Sequence, residues 1–465
     1  MHEDQKFKMI WNSQNLSEAL GVDLNHKNIS ASEIHINSKN VTPGSIFLAL
    51  NGTKTDGHNY VAEALEMGAA VAIVSKIPTG INSDKLILVD DCLEALNLMA
   101  KYKRTRSKAK FIGITGSVGK TSLKEAAKYA FTPMGNTFSS RGNFNNNLGL
   151  LINLASMPDD AEYCIFELGM NKAGEIRILT NILLPDFVII NNIHNTHQVN
   201  FFSIKDIALA KAEILEGLDA KTGIVILPKN NEFYSLLKEQ AKKLMLKNIY
   251  DFGENDNFSS ISLIETTETK AIYKNNLSNH EVIVNHNNLP NYHLLNFAPI
   301  LLIGDLMGLN TETMAEGLKH YKIFNGRGNI IHVEKNDFYI VDDSYNSSPS
   351  SLEASIKYFS KLKAKRKIIL IGDMLELGKI EVEEHARFVN IIKNSAIDLI
   401  ITYGSLASEI SKGLKGQKVV FHCDSLEAVK DIITSIIKPK DYILVKASAS
   451  TGLSEIVSFL VSSQI

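Results

Sequence analysis

The sequence predicts an α/β protein of three domains: a small N-terminal α/β domain, a central domain built on a mostly parallel sheet with a phosphate loop, and a second, C-terminal α/β domain. Three observations carry this reading. The stretch Phe111-Ile112-Gly113-Ile114-Thr115 is a strand-like apolar run that enters the glycine-rich turn Gly116-Ser117-Val118-Gly119, and Lys120-Thr121-Ser122 then opens a helix-forming run. Short apolar segments of strand length recur between helical stretches from residue 109 onward. The chain of 465 residues is long enough for about three cores of ordinary size.

Taken in order, the first hundred residues alternate short elements. Residues 45–50 are apolar and run into Asn51-Gly52, 60–68 have helical spacing, and 70–74 read as a strand. The basic segment 101–110 follows; charge runs of this kind are solvated helix ends or linkers, so the first domain is placed at 1–108. In the second, 109–325, strands at 163–167, 187–191 and 223–227 imply a sheet buried on both faces. Alternating Thr and Ile over 254–285 predicts an antiparallel insertion, and 292–306 predicts one helix. The glycine turn at 325–328 opens the last domain, 326–465, with strands expected at 338–342, 367–372, 399–403 and 442–446. That pattern is Rossmann-like, but it lacks a Gly-x-Gly-x-x-Gly fingerprint after its first strand, so its nucleotide role differs from a dehydrogenase's.

Composition narrows the function classes. With 49 basic and 51 acidic residues the chain has no overall charge suited to nucleic acid. Cys92, Cys164 and Cys423 are far apart and lack metal-ligand spacing, as expected of small buried residues in a reducing compartment. No stretch approaches the ~20 apolar residues of a membrane span, so a cytoplasmic protein is expected.

The chemistry centres on the phosphate loop. Gly116 and Gly119 let backbone amides turn toward an anion at the positive end of a helix dipole, Lys120 can reach outer phosphates, and the Thr121 hydroxyl can bind Mg2+. The spacing departs from the strict motif, with Thr115 four residues before Gly119 and the candidate glycine at Gly113. Glu167 closes a strand, where a carboxylate can take a metal or merely face a helix dipole. A histidine within 191–197 is a ligand, a phosphate contact or a solvated loop residue, and Lys211 reads as a lysine snorkelling from a helix. The run 142–147 is equally a turn, since asparagine tolerates left-handed backbone angles.

In combination these motifs resemble the Mur ligases. TGSVGKTS at 115–122, GNFNNNLG at 142–149, FELGMNKAGEI at 166–176, the segment ending at His197, AKAEILEGL at 210–218, GRG at 326–328, DDSYNSSPSS at 342–351 and GDMLELG at 372–378 occur in that family's order. Lys-Thr-Ser followed by Lys-Glu, Asp-Ser-Tyr-Asn and Gly-Asp-Met-Leu-Glu-Leu-Gly favour the member that adds D-alanyl-D-alanine. Residues 37–60 are similar to the family's domain for the uridine nucleotide, so the likeness spans nearly the whole chain.

The resemblance implies an ATP- and Mg2+-dependent amide ligase of peptidoglycan synthesis, cytoplasmic and monomeric, acting on UDP-N-acetylmuramoyl-tripeptide and D-alanyl-D-alanine through an acyl phosphate. It implies that Gly116, Ser117, Val118, Gly119, Lys120, Thr121 and Ser122 hold ATP, with Asn296 at the adenine, Arg327 at the phosphates and Asp343 at the ribose. Thr121 and a second-ion pair, Glu167 and His197, are implied as Mg2+ ligands, and Lys211 as a lysine carrying a CO2-derived carbamate. Asn143 and Asn146 would line the reaction centre, and Ser38, Lys39, Tyr345 and Asn346 would contact substrate. Departures from the family pattern are Lys39 for arginine, Lys172 for histidine, Gln198 for leucine, Tyr292 at the adenine-side histidine position with His293 next to it, and Ala447 and Ala449 for glycine and arginine. Two alternatives stand beside this reading: a Mur-type ligase for another amino acid, and a nucleotide-binding regulatory protein without ligase activity.

Overall fold

The phosphate-loop strand Lys110–Thr115 lies inside a nine-stranded sheet, paired in parallel with Phe187–Ile190 on one side and Tyr163–Glu167 on the other. The computed structural model describes residues 9–52, 55–195 and 198–462. Successive strand residues point to opposite faces. Phe111 therefore packs in one core and stacks on Phe166, whereas Ile112 and Ile114 enter a second core on the other face. Helices Lys120–Phe131 and Phe297–Leu306 cover that second face.

The strands Ile224–Pro228 and Asn248–Glu254 continue the sheet in parallel. Beyond them Ile261–Thr266, Lys270–Asn275 and His280–Asn285 follow, each antiparallel to the next. The expected antiparallel segment thus exists, but Ile261–Thr266 pairs in parallel with Asn248–Glu254, so the segment extends the central sheet. The single helix expected over 292–306 is two, Asn291–Leu295 and Phe297–Leu306, meeting at Asn296. That joint bears on the site below.

The N-terminal unit is a four-stranded parallel sheet with Val71–Val74 between Ile46–Leu48 and Leu86–Leu88. Helix Cys92–Arg106 leads from it to the central sheet. The basic run does end this helix, yet it is not simply solvated. Lys103 is buried, its ammonium 2.8 Å from the Ile10 carbonyl, 2.6 Å from the Asp159 carboxylate and 4.7 Å above the Trp11 ring. Those partners offset the cost of taking the charge out of water.

The C-terminal unit is a six-stranded sheet in which Asn329–Val333 is antiparallel and the rest are parallel. Asp441–Lys446 sits between Phe338–Asp343 and Arg366–Gly372, so the strand order reverses there. Open α/β sheets bind ligands at such a point, beyond the carboxyl ends of the strands. Here those ends carry Asp343 and Lys446. Among the described residues no helix is long and apolar enough to cross a membrane, and the three cysteines are free and buried.

Candidate active site

Gly119 caps the start of helix Lys120–Phe131 at φ +78°, a left-handed conformation natural to glycine, and a Cβ there would meet the Asn191 amide at 2.9 Å. The loop is pinned by the residues that follow the neighbouring strand. Ser117 Oγ donates to the His194 carbonyl and accepts from the His194 N–H, both at 2.9 Å. The Val118 N–H donates to Asn192 Oδ1 at 2.9 Å, and the Asn191 and Asn192 amides donate to the Val118 carbonyl. A loop tied at this many points keeps its amides oriented before any anion arrives.

Beside it Glu167 is only 3% exposed and both its oxygens are engaged: Oε2 accepts from Thr121 Oγ1 and Oε1 from the Asn145 amide, each at 2.8 Å. Lys120 folds back so that Nζ donates to the Gly116 carbonyl at 2.9 Å. Lys211 does the same from the opposite side. It is 1% exposed in helix Ile204–Ala212, and its Nζ donates to that carbonyl at 2.9 Å. This lysine does not snorkel to solvent. Burial holds its amine well below the ordinary lysine range, nearby Lys120 pushes it further down, and Glu167 opposes them. Burial likewise lowers Lys120.

A cleft of about 710 Å3 separates this wall from the C-terminal unit. Arg327 crosses it, donating to Thr121 Oγ1 at 3.2 Å while its guanidinium lies 3.9 Å over the Tyr345 ring. Tyr345 OH accepts from the Asn143 amide at 2.9 Å. Asp343 accepts from Lys446 Nζ at 2.8 Å and from Ser355, and Lys446 also donates to the Asn346 carbonyl. Ser122, Asn296 and Asn346 line the same cleft.

Several expected residues are placed elsewhere. Asn146 caps helix Asn147–Ala155 by accepting from the Gly149 N–H, and it is Asn145 that reaches Glu167. Ser38 and Lys39 sit in a single turn, Ser38–Asn40, away from the cleft. His197 lies outside the described residues. Asn145 and the Lys446 partner of Asp343 were missed as site residues. The strand-end rule points to Lys446, but no local signal separates Asn145 from its neighbours.

His293, next to the family's histidine position, acts as a strut. Its Nε2 pairs with the Arg327 carbonyl at 3.0 Å and its Nδ1 with Tyr321 OH at 2.9 Å. Burial lowers its pKa to about 4 from the ordinary 6.5. Above pH 6.5 the ring is neutral both folded and unfolded; as pH falls toward 4 only the unfolded chain takes the proton, so stability drops across that window, by up to about 3 kcal/mol. Denaturant titrations between pH 7 and 4 should show this slope, and His293→Gln should flatten it.

A phosphate loop with an acidic strand end beside it, facing a second α/β wall across a cleft, defines a phosphate-loop enzyme of the multidomain α/β type. Residues 114–302 match the model of the Mur ligase middle domain, 326–449 that of the Mur ligase, glutamate ligase domain, and 30–103 that of the Mur ligase family, catalytic domain. The chain belongs to the Mur ligase family, and it is a ligase. It is 39% identical to UDP-N-acetylmuramoyl-tripeptide--D-alanyl-D-alanine ligase of Rickettsia prowazekii over 97% of this chain and all of that one. The ligase of the same name from Bacillus subtilis is 30% identical, covering 90% of this chain and 91% of its own. A crystal structure of MurF from Acinetobacter baumannii, 25% identical, superposes with a TM-score of 0.81 over 98% of this chain and all of that one. MurF of Thermotoga maritima in complex with ADP, 24% identical, shares the fold at a TM-score of 0.74 over 92% of this chain and 97% of its own.

Proposed function

We propose that this ligase joins D-alanyl-D-alanine to UDP-N-acetylmuramoyl-tripeptide with hydrolysis of ATP to ADP and phosphate, forming the pentapeptide precursor of peptidoglycan. The observation that carries the reading is the convergence of Lys120, Lys211, Thr121 and Glu167 around one loop carbonyl and one buried carboxylate. A module that only bound nucleotide would have no use for the second lysine. The relative from Rickettsia prowazekii, matched over its whole length, carries the same activity in its name.

ATP would lie in the cleft, its phosphates on the loop amides, its ribose at Asp343 and its base toward Asn296, as ADP binding in the Thermotoga maritima enzyme encourages. Lys120 would leave the Gly116 carbonyl to meet the charge that grows on the transferred phosphoryl group. Arg327 would turn from Thr121 to the same phosphates. The γ-phosphoryl passes to the terminal carboxylate of the tripeptide, and the dipeptide amine then displaces phosphate from the acyl phosphate to leave an amide. Asn143 would steady the reacting carboxyl, and Asn146 would set the start of the helix behind it.

Among the described residues no cluster of three or more histidine, cysteine or acidic side chains could cage a metal. Thr121 and Glu167 nevertheless fit Mg2+, which takes one or two protein oxygens and completes its shell with phosphates and water. When bound, one ion at Thr121 and a second at Glu167 with His197 and a carbamate on Lys211, Mg2+ would neutralise phosphate charge. Residues 1–108 would hold the uridine nucleotide through Ser38 and Lys39, 109–325 would hold ATP, and 326–465 would close the cleft with Tyr345 and Asn346 at the substrate. Lys39 offers a point charge where arginine would bind phosphate through two parallel bonds, so uridine affinity rests on other contacts. We place the enzyme in the cytoplasm as a monomer.

Phosphate release from ATP by the purified protein, with the product followed by mass, tests this. Release that requires both tripeptide and dipeptide and yields the pentapeptide is expected. Tight ATP binding without product would move the assignment to another acceptor or to the regulatory alternative.

A further inference from the structure

The Lys124-Glu125 pair that follows the phosphate loop has no part in the reaction scheme above, yet Lys124 is fully buried. Lysine is seldom buried to this degree unless its ammonium is paired. Three oxygens surround Nζ, as many as it has N–H groups. It donates to the Ser140 carbonyl and, at 2.9 Å, to the Gly142 carbonyl, and it lies 3.1 Å from Glu125 Oε1.

Both carbonyls belong to the segment that leads into the asparagine run. Ser140 is registered on the strand that ends in Glu167: its N–H donates to the Ile165 carbonyl at 2.9 Å and its Oγ accepts from the Glu167 N–H at 3.3 Å. Past Ser140 the chain leaves the core, and residues 141–144 are all exposed. No buried side chain of their own anchors them, so backbone groups do. The Arg141 N–H donates to Asn153 Oδ1 at 2.8 Å, the Phe144 N–H donates to the Arg141 carbonyl at 3.2 Å, and Lys124 takes the carbonyls on either side of Arg141. The Gly142 carbonyl shares a planar peptide unit with the Asn143 nitrogen. Fixing that carbonyl fixes the backbone from which the Asn143 side chain enters the cleft.

Helix Lys120–Phe131 carries the other half of the connection. Lys120 and Lys124 are four residues apart and so share one helix face. One turn of helix therefore spans the distance from the loop carbonyl of Gly116 to the asparagine segment. The loop itself is pinned from its other side by Asn192 and the His194 backbone, so its shape does not depend on Lys124. Loss of Lys124 would loosen Asn143 and leave the cradle for the phosphates in place.

We propose that Lys124 is a positioning residue for phosphoryl transfer: it locks the segment bearing Asn143 to the phosphate-loop helix, so that the tripeptide carboxylate is held against the γ-phosphoryl group. The inference rests on the ligase reading above and adds to it a residue that acts through Asn143.

The test is a double-mutant cycle of Lys124→Met and Asn143→Ala, read as pentapeptide formation per ADP-binding site so that only folded protein is counted. Lys124→Met keeps the apolar stem of the side chain and removes the charge. It should lower kcat about 10²-fold, the scale of a misplacement of about 1 Å at a reacting group, with KM for ATP within about threefold of the parent. In the Asn143→Ala background the same change should cost less than about threefold, because the residue it acts through is already gone. Lys124→Arg keeps a positive charge but replaces a compact ammonium with a planar fork, so kcat should fall about tenfold. It completes the cycle alone if the methionine variant does not fold. Four results would overturn the proposal and leave the ligase reading intact: kcat near the parent's in every folded variant at 124, failure of both variants to fold, a loss that multiplies fully with that of Asn143→Ala, or a KM for ATP that rises as far as kcat falls. A parent chain that binds ATP and forms no pentapeptide overturns the ligase reading and this inference with it.

Discussion

Lys120→Ala should lower kcat by about 10²–10³-fold while the protein stays folded and still binds ADP. The ammonium lies half-buried at the base of the cleft and makes its hydrogen bonds to the carbonyls of Gly116 and Ser117, and among the described residues no carboxylate is in direct contact with it. Burial lowers its pKa, Arg327 adds to the effect and Glu167 opposes it. A desolvated cation held only by carbonyls contributes little to stability, so the thermal midpoint should hardly move. Its value lies in the transition state, where three phosphoryl oxygens carry charge and a preorganised cation need not be recruited from water. Lys120→Arg should fail almost as badly, because a planar fork does not fit where a point charge rests between the loop and helix Lys120–Phe131. Single-turnover phosphate release separates this loss from slow product release. A loss below about tenfold would remove Lys120 from the chemistry.

What the sequence makes legible here follows from how local each feature is. The strand at 163–167 is recovered residue for residue, because a short β-branched and aromatic run buried on both faces has no competing structure. The phosphate loop is equally local, since glycine at φ +78° and a lysine at a helix start are adjacent in the chain. Lys103 defeats the composition rule. Lys101 and Thr105 face water, but the position of Lys103 on helix Cys92–Arg106 faces Trp11 and Asp159, residues that no local pattern brings near. The asparagine run fails for another reason: Asn143, Asn145 and Asn146 have the same chemistry, and only the point at which helix Asn147–Ala155 begins decides which one caps it and which reaches Glu167. The Asp343–Lys446 pair depends on a strand inserted between two others, a topological fact that becomes visible only in the sheet.

The same long-range logic links the two walls of the cleft. Arg327 bonds to Thr121 and Asn143 bonds to Tyr345, so the C-terminal unit touches both the loop and the asparagine run. Thr121 Oγ1 donates to Glu167 and accepts from Arg327, so one hydroxyl joins the loop helix to both walls. We expect Arg327 to turn from Thr121 to the phosphates when nucleotide binds, exchanging a neutral hydrogen-bond acceptor for charged ones.

Lys211→Ala should cost about 10²-fold or more in turnover, and turnover by the parent chain should depend on dissolved CO2. Two amines, from Lys120 and Lys211, meet at the Gly116 carbonyl, and two full positive charges there would repel. Burial and Lys120 together hold Lys211 well below its ordinary pKa, which favours the neutral amine. A neutral amine attacks CO2: the nitrogen–carbon bond forms, one C=O electron pair moves to oxygen, and a proton leaves to solvent. The resulting carbamate is anionic, so it converts a repulsive neighbour of Lys120 into an attractive one and adds oxygen donors beside Glu167. Because the amine's pKa is depressed, the CO2-dependent activity should rise with pH and level off well below the ordinary lysine range. Native mass spectrometry should show a gain of one CO2 in bicarbonate, lost on acidification and absent in Lys211→Ala. A chain that stays unmodified in bicarbonate, with an alanine variant retaining most of its turnover, would reduce Lys211 to a packing residue. The unpaired amine would then be left to the Gly116 carbonyl alone.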